Sequence, residues 1–508
     1  MRFDRRWGFR SVDENRQRQL SLLRDHLRYQ VLPFSPFYQA HFREAGVDPA
    51  SIRTLEDFAQ LPFTDKSQIA PSAEYPARPR DLILQPTPEL IRQHWPLSRL
   101  LRLKIEGLLK GADAVRDRLA RDEYRPVSLF FTTGRTALPT AFALTRFDLA
   151  ILEEVGRRVI EVTTIDSPDD KLLNLFPYAP HLAFWQVYYV GVGSALFTLN
   201  TGGGKVLGTD GILKAIEKIQ PAYIIGIPGY VYHALRKAKS QDMDMSFVRG
   251  VAVGGDQVTP GFRARVKELL VSMGASQPRV HSVLGFTESR KCWSECPGEA
   301  KAGFHTYPDL ELFEVVDPES GKPLGPGETG ELVYTNLVGR GSTVVRYRTG
   351  DIVVGGMTWD PCPFCGRTVP RLASKLERVS HHKSFQLSKV KGTLVNLAVL
   401  KHELDEDTRV EEWQIVIKKR DDDPNEVDEL HLNLALAKNV PESAAQVVRE
   451  EVGTRLFSVS EVKFNTIRVM PLESVLELLG MESQLKEKRI VDLRPSSDAP
   501  LPETPVSR

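Results

Sequence analysis

From Arg16 to Ala45 the apolar residues Leu20, Leu23, Leu27 and Val31 recur every three or four positions, the period of one helix face. "LEDFAQLPFTDKSQI" continues as a further short helix and a turn, so the pattern predicts an N-terminal helical layer. The stretch "ELIRQHWPLSRLLRLKIEGLLKGADAVRDRLARDEYRP" mixes helix formers with interleaved charges and predicts one or two surface helices. Between Val127 and Asp317 the pattern changes to short apolar runs separated by helical spacing: "VSLFF", "KLLNLFPY", "SALFTL", "AYIIGIP", "VRGVAVGG" and "RVHSVLG". Such alternation predicts an α/β architecture, a buried and largely parallel sheet flanked by helices. "LELFEVVD", "GELVYTNL" and "VVRYRTGDIVV", with the turn "DPESGKPLGPGETG", predict an antiparallel addition.

After Lys391 a helix, "NLAVLKHEL", precedes two strands, "EWQIVIKKR" and "DELHLNLALA", joined by the polar turn "DDDPNEV". A helix, "ESAAQVVREEVGTRLF", and a strand, "VKFNTIRVM", complete a small α+β domain of about 100 residues. The expected boundaries are 1–385 for the large N-terminal domain and 386–494 for the small one. The Pro- and Ser-rich stretch 495–508 is expected to be a disordered tail.

Composition narrows the function more than the fold. With 41% hydrophobic and 26% charged residues over 508 positions, the chain has the make-up of a soluble globular protein of two or three units. Sixty-seven basic residues against 66 acidic leave a net charge of +1, so no global field draws the chain to nucleic acid or anionic lipid. A small-molecule role follows. The segment "MRFDRRWGFRSVDENRQRQL" lacks the apolar core of a signal peptide, and no later run is long enough to cross a bilayer. A cytoplasmic location with no membrane partner is therefore expected. Four cysteines do not make a disulfide scaffold, and their spacing suits metal better.

Three segments at strand ends carry candidate chemistry. "RYRTGD" places Asp351 after a glycine turn, where a fixed carboxylate can accept two hydrogen bonds from a ribose diol; taken alone, the motif reads first as an ordinary solvated turn. "LGFTES" follows the strand "RVHSV" and offers Thr287 beside Glu288, a hydroxyl for phosphate and a carboxylate for magnesium, or simply a helix cap. In "VAVGGDQ", Gly254 and Gly255 would let backbone approach a flat ligand closely. "TTGRTALPT", from Thr132 to Thr140, has the small hydroxylated make-up of a phosphate loop, but with one glycine and no lysine.

The order "TTGRTALPT", "NLFPYAPHLAFW", "IIGIPGYVY", "VAVGGDQVTPGFR", "LGFTES", "GETGELVYTNL" and "RYRTGD" resembles the adenylate-forming superfamily, in its phenylacetate–coenzyme A ligase branch. The N-terminal "SPFYQAHFREAGVDPASIRTLEDFAQLPFTDK" is similar to that branch as well. The resemblance implies a large N-terminal domain with a small mobile C-terminal lid. It also implies an acid–thiol ligase that activates a carboxylic acid with ATP to an acyl-adenylate and passes the acyl group to coenzyme A.

On this resemblance Asp351 binds the ribose, Thr287 the α-phosphate and Glu288 the magnesium, while Gly254, Gly255, Asp256 and Gly285 line the nucleotide. Thr132, Thr133, Gly134, Arg135 and Thr136 form the phosphate loop, in which Ala137 and Leu138 replace the family's Gly and Lys. Arg135 is then a candidate for the displaced positive charge. His181, Phe184 and Trp185 fall near the acyl pocket, where aromatic lining fits an aromatic acid and suits aliphatic acids as well; each side chain taken singly is equally at home in a core helix. "LKEKRIVDLR" resembles the closing motif and makes Lys486 the catalytic lysine. "KLERVSHHKSFQLSKVKG" is the hinge region, where Arg378 alone matches.

Cys362 and Cys365 in "DPCPFCGRT" form a CxxC knuckle, whose Pro and Gly shape a turn that faces both thiolates to one ion. The branch often carries a similar Cys- and His-rich turn, which implies a structural zinc on Cys296, His305, Cys362 and Cys365, with Cys292 as an alternative ligand. The expected partners are a small carboxylic acid, with a carrier-protein thiol or an amine as alternative acceptors, and a homodimer is left open. A second reading, motivated by the altered loop and hinge, is a catalytically silent relative that binds nucleotide or acyl ligand. A zinc-knuckle nucleic-acid binder is disfavoured by the neutral charge.

Overall fold

The apolar runs from Lys171 onward build a six-stranded sheet in the order Phe197–Asn200, Lys171–Asn174, Tyr223–Gly226, Gly250–Gly254, Arg279–Phe286 and Lys291–Ser294. The first five strands run parallel and the last is antiparallel. Leu172, Leu173, Ile224, Val251, Val253 and Val280 are buried, as strands covered on both faces require. The structure is a computed structural model and describes residues 3–132, 139–165, 167–179, 181–256, 258–378, 387–390, 393–422, 428–460, 462–481 and 487–494. The chain divides into two units, Met1–Val258 with Val266–Val379, and Thr259–Arg265 with Ser380–Arg508.

The run "VSLFF" departs from the expectation of a parallel strand. Pro126–Phe131 pairs antiparallel with Ala141–Thr145 in a two-stranded sheet of its own. The reason is one-sided burial: Phe130 is buried, whereas Val127 and Leu129 on the other face are exposed. A strand with one wet face does not enter a doubly covered sheet.

The antiparallel addition is a four-stranded sheet in the order Glu311–Val316, Gly330–Asn336, Tyr347–Val354 and Lys375–Arg378. A smaller sheet joins Met357–Thr358, Arg371–Leu372 and Phe304–His305. The N-terminal layer begins with the helix Val12–His26, whose N-cap Ser11 exchanges hydrogen bonds with Glu14 in a capping box. A π-helical turn, Leu27–Val31, continues it, and Leu23, Leu27 and Val31 are buried along one face.

In the second unit, Val410–Lys419 and Asp428–Leu436 pair antiparallel, flanked in parallel by Ile490–Asp492 and Thr466–Val469. Leu400 and Leu404 of the helix Leu397–Glu406 and Val452 and Leu456 of the helix Ala445–Ser460 pack with Trp413, Ile415 and Leu432 of that sheet. Among the described residues no helix is long and apolar enough to cross a membrane.

Candidate active site

The chain enters the principal sheet at Lys171–Asn174 and adds Phe197–Asn200 on one side before Tyr223–Gly226 on the other. The connections leaving the carboxyl ends therefore part at this point, where open α/β sheets form their ligand crevice. Along the same carboxyl edge lie the segment after Asn174, the Gly254 strand end and the turn that carries Thr287 and Glu288. Gly254 pairs with Val283, and a Cβ there would meet the Val283 carbonyl oxygen at 2.7 Å. Gly255 follows with φ +88°, a left-handed conformation that glycine adopts without strain. Asp256 beside it is exposed, and Gly285 pairs with Cys292.

Thr132 and Thr140, which flank the expected phosphate loop, are bonded to each other in both directions. Thr132 N–H donates to the Thr140 carbonyl at 3.0 Å, and Thr140 N–H donates to Thr132 Oγ1 at 3.1 Å. Thr132 and Thr140 are both buried. Immediately before Thr132, the Phe131 carbonyl accepts from His181 Nδ1 at 3.1 Å and from Thr287 Oγ1 at 3.5 Å. A carbonyl only accepts, so His181 carries its proton on Nδ1. One carbonyl thus gathers three segments that are far apart in sequence.

Glu288 is buried, and its Oε1 accepts the Tyr347 hydroxyl at 2.8 Å. Tyr347 and Asp351 share the strand Tyr347–Val354, and Asp351 N–H donates to Thr349 Oγ1 at 3.1 Å. Asp351 is half-buried and pairs in register with Arg378. The contact of Tyr347 with Glu288 is one that reading the sequence did not supply. Period-two alternation along "YRTGD" puts Tyr347 and Asp351 on one face, and that was the available signal.

The turn after Glu288 is anchored below. Gln186 Nε2 donates to the Lys291 carbonyl at 2.6 Å, and Lys291 Nζ donates to Tyr334 Oη at 2.7 Å. Lys291 Nζ lies 3.8 Å from Glu311 Oε2, and Trp293 Nε1 donates to Glu311 Oε1 at 2.6 Å. Burial pushes the Lys291 ammonium below the usual lysine range and Glu311 above the usual carboxylate range, each partly countered by the other's charge. Asp148 ties the same turn to the segment between the strands Gly330–Asn336 and Tyr347–Val354: it lies 3.5 Å from Arg290 Nη1 and accepts the backbone N–H of Arg340 at 3.0 Å and of Gly341 at 2.7 Å. Neither Lys291 nor Asp148 stands in a recognisable motif, so sequence reading passed over both.

Phe184 and Trp185, on the helix Leu182–Ser194, form an aromatic group with Tyr178, Tyr188 and Phe130 at centroid distances of 5.3 to 6.2 Å. Trp185 is half-buried and Tyr178 exposed, so the group is open on one side.

Cys296, His305, Cys362 and Cys365 bring their donor atoms within 4.8 Å of one another. Cys296 Sγ lies 3.7 Å from Cys362 Sγ, and Cys365 Sγ lies 3.2 Å from His305 Nε2. Zn–S bonds of about 2.3 Å at tetrahedral angles put two sulfurs ~3.75 Å apart, so the donor set fits a closed zinc site. The CxxC turn is shaped by Gly366 at φ +71°, whose N–H donates to the Cys362 carbonyl at 2.9 Å. Cys292 stands outside this group, buried in the hydrophobic core, and burial pushes its thiol up to about 12.

Thr133, Gly134, Arg135, Thr136, Lys486 and, within the expected hinge region, residues 379–386 and 391–392 lie outside the described residues. Past Lys486, Ile490–Asp492 adds to the small unit's sheet beside Ile415–Ile417. Arg489 is fixed there by Glu412 at 2.9 Å and Glu487 at 2.6 Å, over the Trp413 ring. Arg494 pairs with Asp492 at 2.6 Å and Asp428 at 3.1 Å.

Residues 65–341, more than half of the chain, match the family model described as AMP-binding enzyme. The chain belongs to the AMP-binding enzyme family. Among the curated relatives of this AMP-binding enzyme is phenylacetate-coenzyme A ligase of Thermus thermophilus, 27% identical over 347 residues, 68% of this chain and 66% of that protein. The same-named proteins of Pseudomonas putida and Escherichia coli are each 23% identical, over 83% and 67% of this chain and 79% and 67% of theirs. The alignment thus spans just under two thirds of the Thermus relative's length. These names agree with the branch that the motifs resemble. Among solved structures, 2-hydroxyisobutyryl-CoA ligase in complex with R3-HIB-AMP shares the fold at a TM-score of 0.71 and 19% identity, over 96% of this chain and 92% of that one.

Proposed function

We propose that this AMP-binding enzyme activates a carboxylic acid with ATP and transfers the acyl group to coenzyme A. In the first step a carboxylate oxygen attacks the α-phosphorus and pyrophosphate leaves. In the second the coenzyme A thiolate attacks the acyl carbonyl and AMP leaves. The observation that carries this reading is the convergence of Thr287 and His181 on the Phe131 carbonyl, beside Thr132 and Thr140, which flank the expected phosphate loop.

Each residue then has a task that its chemistry suits. Thr287 faces the α-phosphate, Asp351 accepts from the ribose, and Gly254, Gly255 and Asp256 flank the base. Glu288, steadied by Tyr347, would hold magnesium, which spreads the triphosphate charge when bound. Lys486 supplies the further cation where negative charge grows on the α-phosphate. Cys296, His305, Cys362 and Cys365 would hold a structural zinc. The open aromatic group around Trp185, and the phenylacetate-coenzyme A ligase names of the relatives, favour an aromatic acid.

A panel of aromatic, aliphatic and hydroxy acids, scored for thioester formation with ATP and coenzyme A, tests the proposal. Thioester from arylacetic acids above the aliphatic ones is expected. Acyl-adenylate without thioester would assign another acceptor, and no product from any acid would refute the ligase reading.

A further inference from the structure

The helix Leu97–Lys110 leaves an apolar stripe in solvent. Leu97, Leu101, Ile105, Leu108 and Leu109 are 84%, 58%, 48%, 81% and 80% exposed. An α-helix turns about 100° per residue, which gathers these five side chains into an arc of about 120°. Arg102 falls just beyond one border of the arc and Lys104 just beyond the other, and both are exposed. The helix's one acid, Glu106, lies about 60° past the border on the Arg102 side and is already paired with Lys110 at 3.3 Å and Arg118 at 3.0 Å.

This face is held outward by the other one. Leu100 and Leu103 pack against Phe34, Leu84, Trp95 and Tyr124. Arg99 pairs with Asp25 at 3.2 Å and lies over the Tyr29 ring. The stripe is therefore not a buried face caught unfolded, and isolated exposed leucines need no explanation while an ordered stripe does.

We propose that this helix lies on an anionic bilayer surface, with the leucines in the acyl boundary and Arg102 and Lys104 on the lipid phosphates. An apolar stripe bracketed by cations matches that interface on both counts. A second copy of the chain fits less well. A twofold pairing would bring Arg102 and Lys104 against the same cations, and the helix's one acid, Glu106, is already paired with Lys110 and Arg118. The net charge of +1 does not weigh against this, because only charges within about 10 Å of the surface act on it.

The test is cosedimentation of the full chain with vesicles of phosphatidylcholine alone and of equal parts phosphatidylcholine and phosphatidylglycerol. Binding to the mixed vesicles that weakens with added salt is expected. The double variant Leu101→Asp with Leu108→Asp should stay in the supernatant. Arg102→Gln with Lys104→Gln should bind more weakly by about fivefold per cation removed. Unchanged far-ultraviolet circular dichroism shows that these surface variants fold. A parent chain that sediments with neither vesicle, or an aspartate variant that binds like the parent, overturns the proposal. So does a parent dimer in gel filtration that the aspartate variant dissociates, which would assign the stripe to a second copy.

Discussion

Tyr347 donates its hydroxyl to Glu288 Oε1 at 2.8 Å, and so couples the strand of Asp351 to the turn that carries Thr287. The bond fixes one carboxylate oxygen of the residue assigned to magnesium. Tyr347→Phe keeps the ring and removes the donor, a loss of about 1 to 2 kcal/mol. The magnesium dependence of acid activation should shift upward by about tenfold, with the fold intact. A magnesium titration that superimposes on the parent's would contradict the role given to this pair.

The four-donor group predicts one zinc ion per chain, measurable by atomic absorption of the purified protein. Cys365→Ser should lose the metal and lower the melting temperature, because the site joins the segment after Ser294 to the turn after Met357–Thr358. Cys292→Ser should keep the full metal content. Loss of zinc from the Cys292 variant would mean that the ligand set is misassigned.

The second unit should weaken in acid through Asp407. Burial alone would push this carboxyl up, but hydrogen bonds from Arg409 at 3.0 Å and Arg455 at 2.7 Å overcome it and hold it at about 2, against an ordinary value of 3.8. Above 3.8 the stabilisation is fully present, and it is lost as the pH falls through about 2, because the unfolded chain takes up the proton first. Asp407→Asn should therefore destabilise by about 2 kcal/mol at neutral pH. Denaturant curves at neutral pH and near the lower value should show the difference shrinking.

Lys486→Ala should cripple formation of the acyl-adenylate while sparing acyl transfer from a supplied acyl-adenylate to coenzyme A. Loss of a charge-stabilising group from such a step costs about 10²- to 10³-fold. Equal losses in both half-reactions would show that the lysine is misassigned.

Periodicity conveyed the sheets well where burial was two-sided. Leu172, Leu173, Val251 and Val253 read as continuous apolar runs because both faces of their strands are covered. "VSLFF" misled for the same reason: Val127 and Leu129 are as apolar as core residues but face solvent. The stretch from Leu97 to Lys110 was legible as a surface helix, yet its charges are not its whole outer face, since sequence does not say which side a helix docks. Thr287 and Glu288 were legible: they stand just past a strand end, as "LGFTES" led one to expect. Asp351, expected after a turn at a strand end, lies within the strand Tyr347–Val354, because the chain stays paired past Gly350, Asp351 with Arg378. Tyr347, Asp148 and Lys291 were not legible, because their partners lie between 43 and 193 residues away.

Carboxylate-dependent exchange of labelled pyrophosphate into ATP tests the central claim most directly, because only reversible attack of the acid on the α-phosphorus produces it. Label should enter ATP when an accepted acid is present, without coenzyme A, and fall to background when the acid is left out. An exchange rate that no acid raises would contradict the assignment of this site to acyl-adenylate formation.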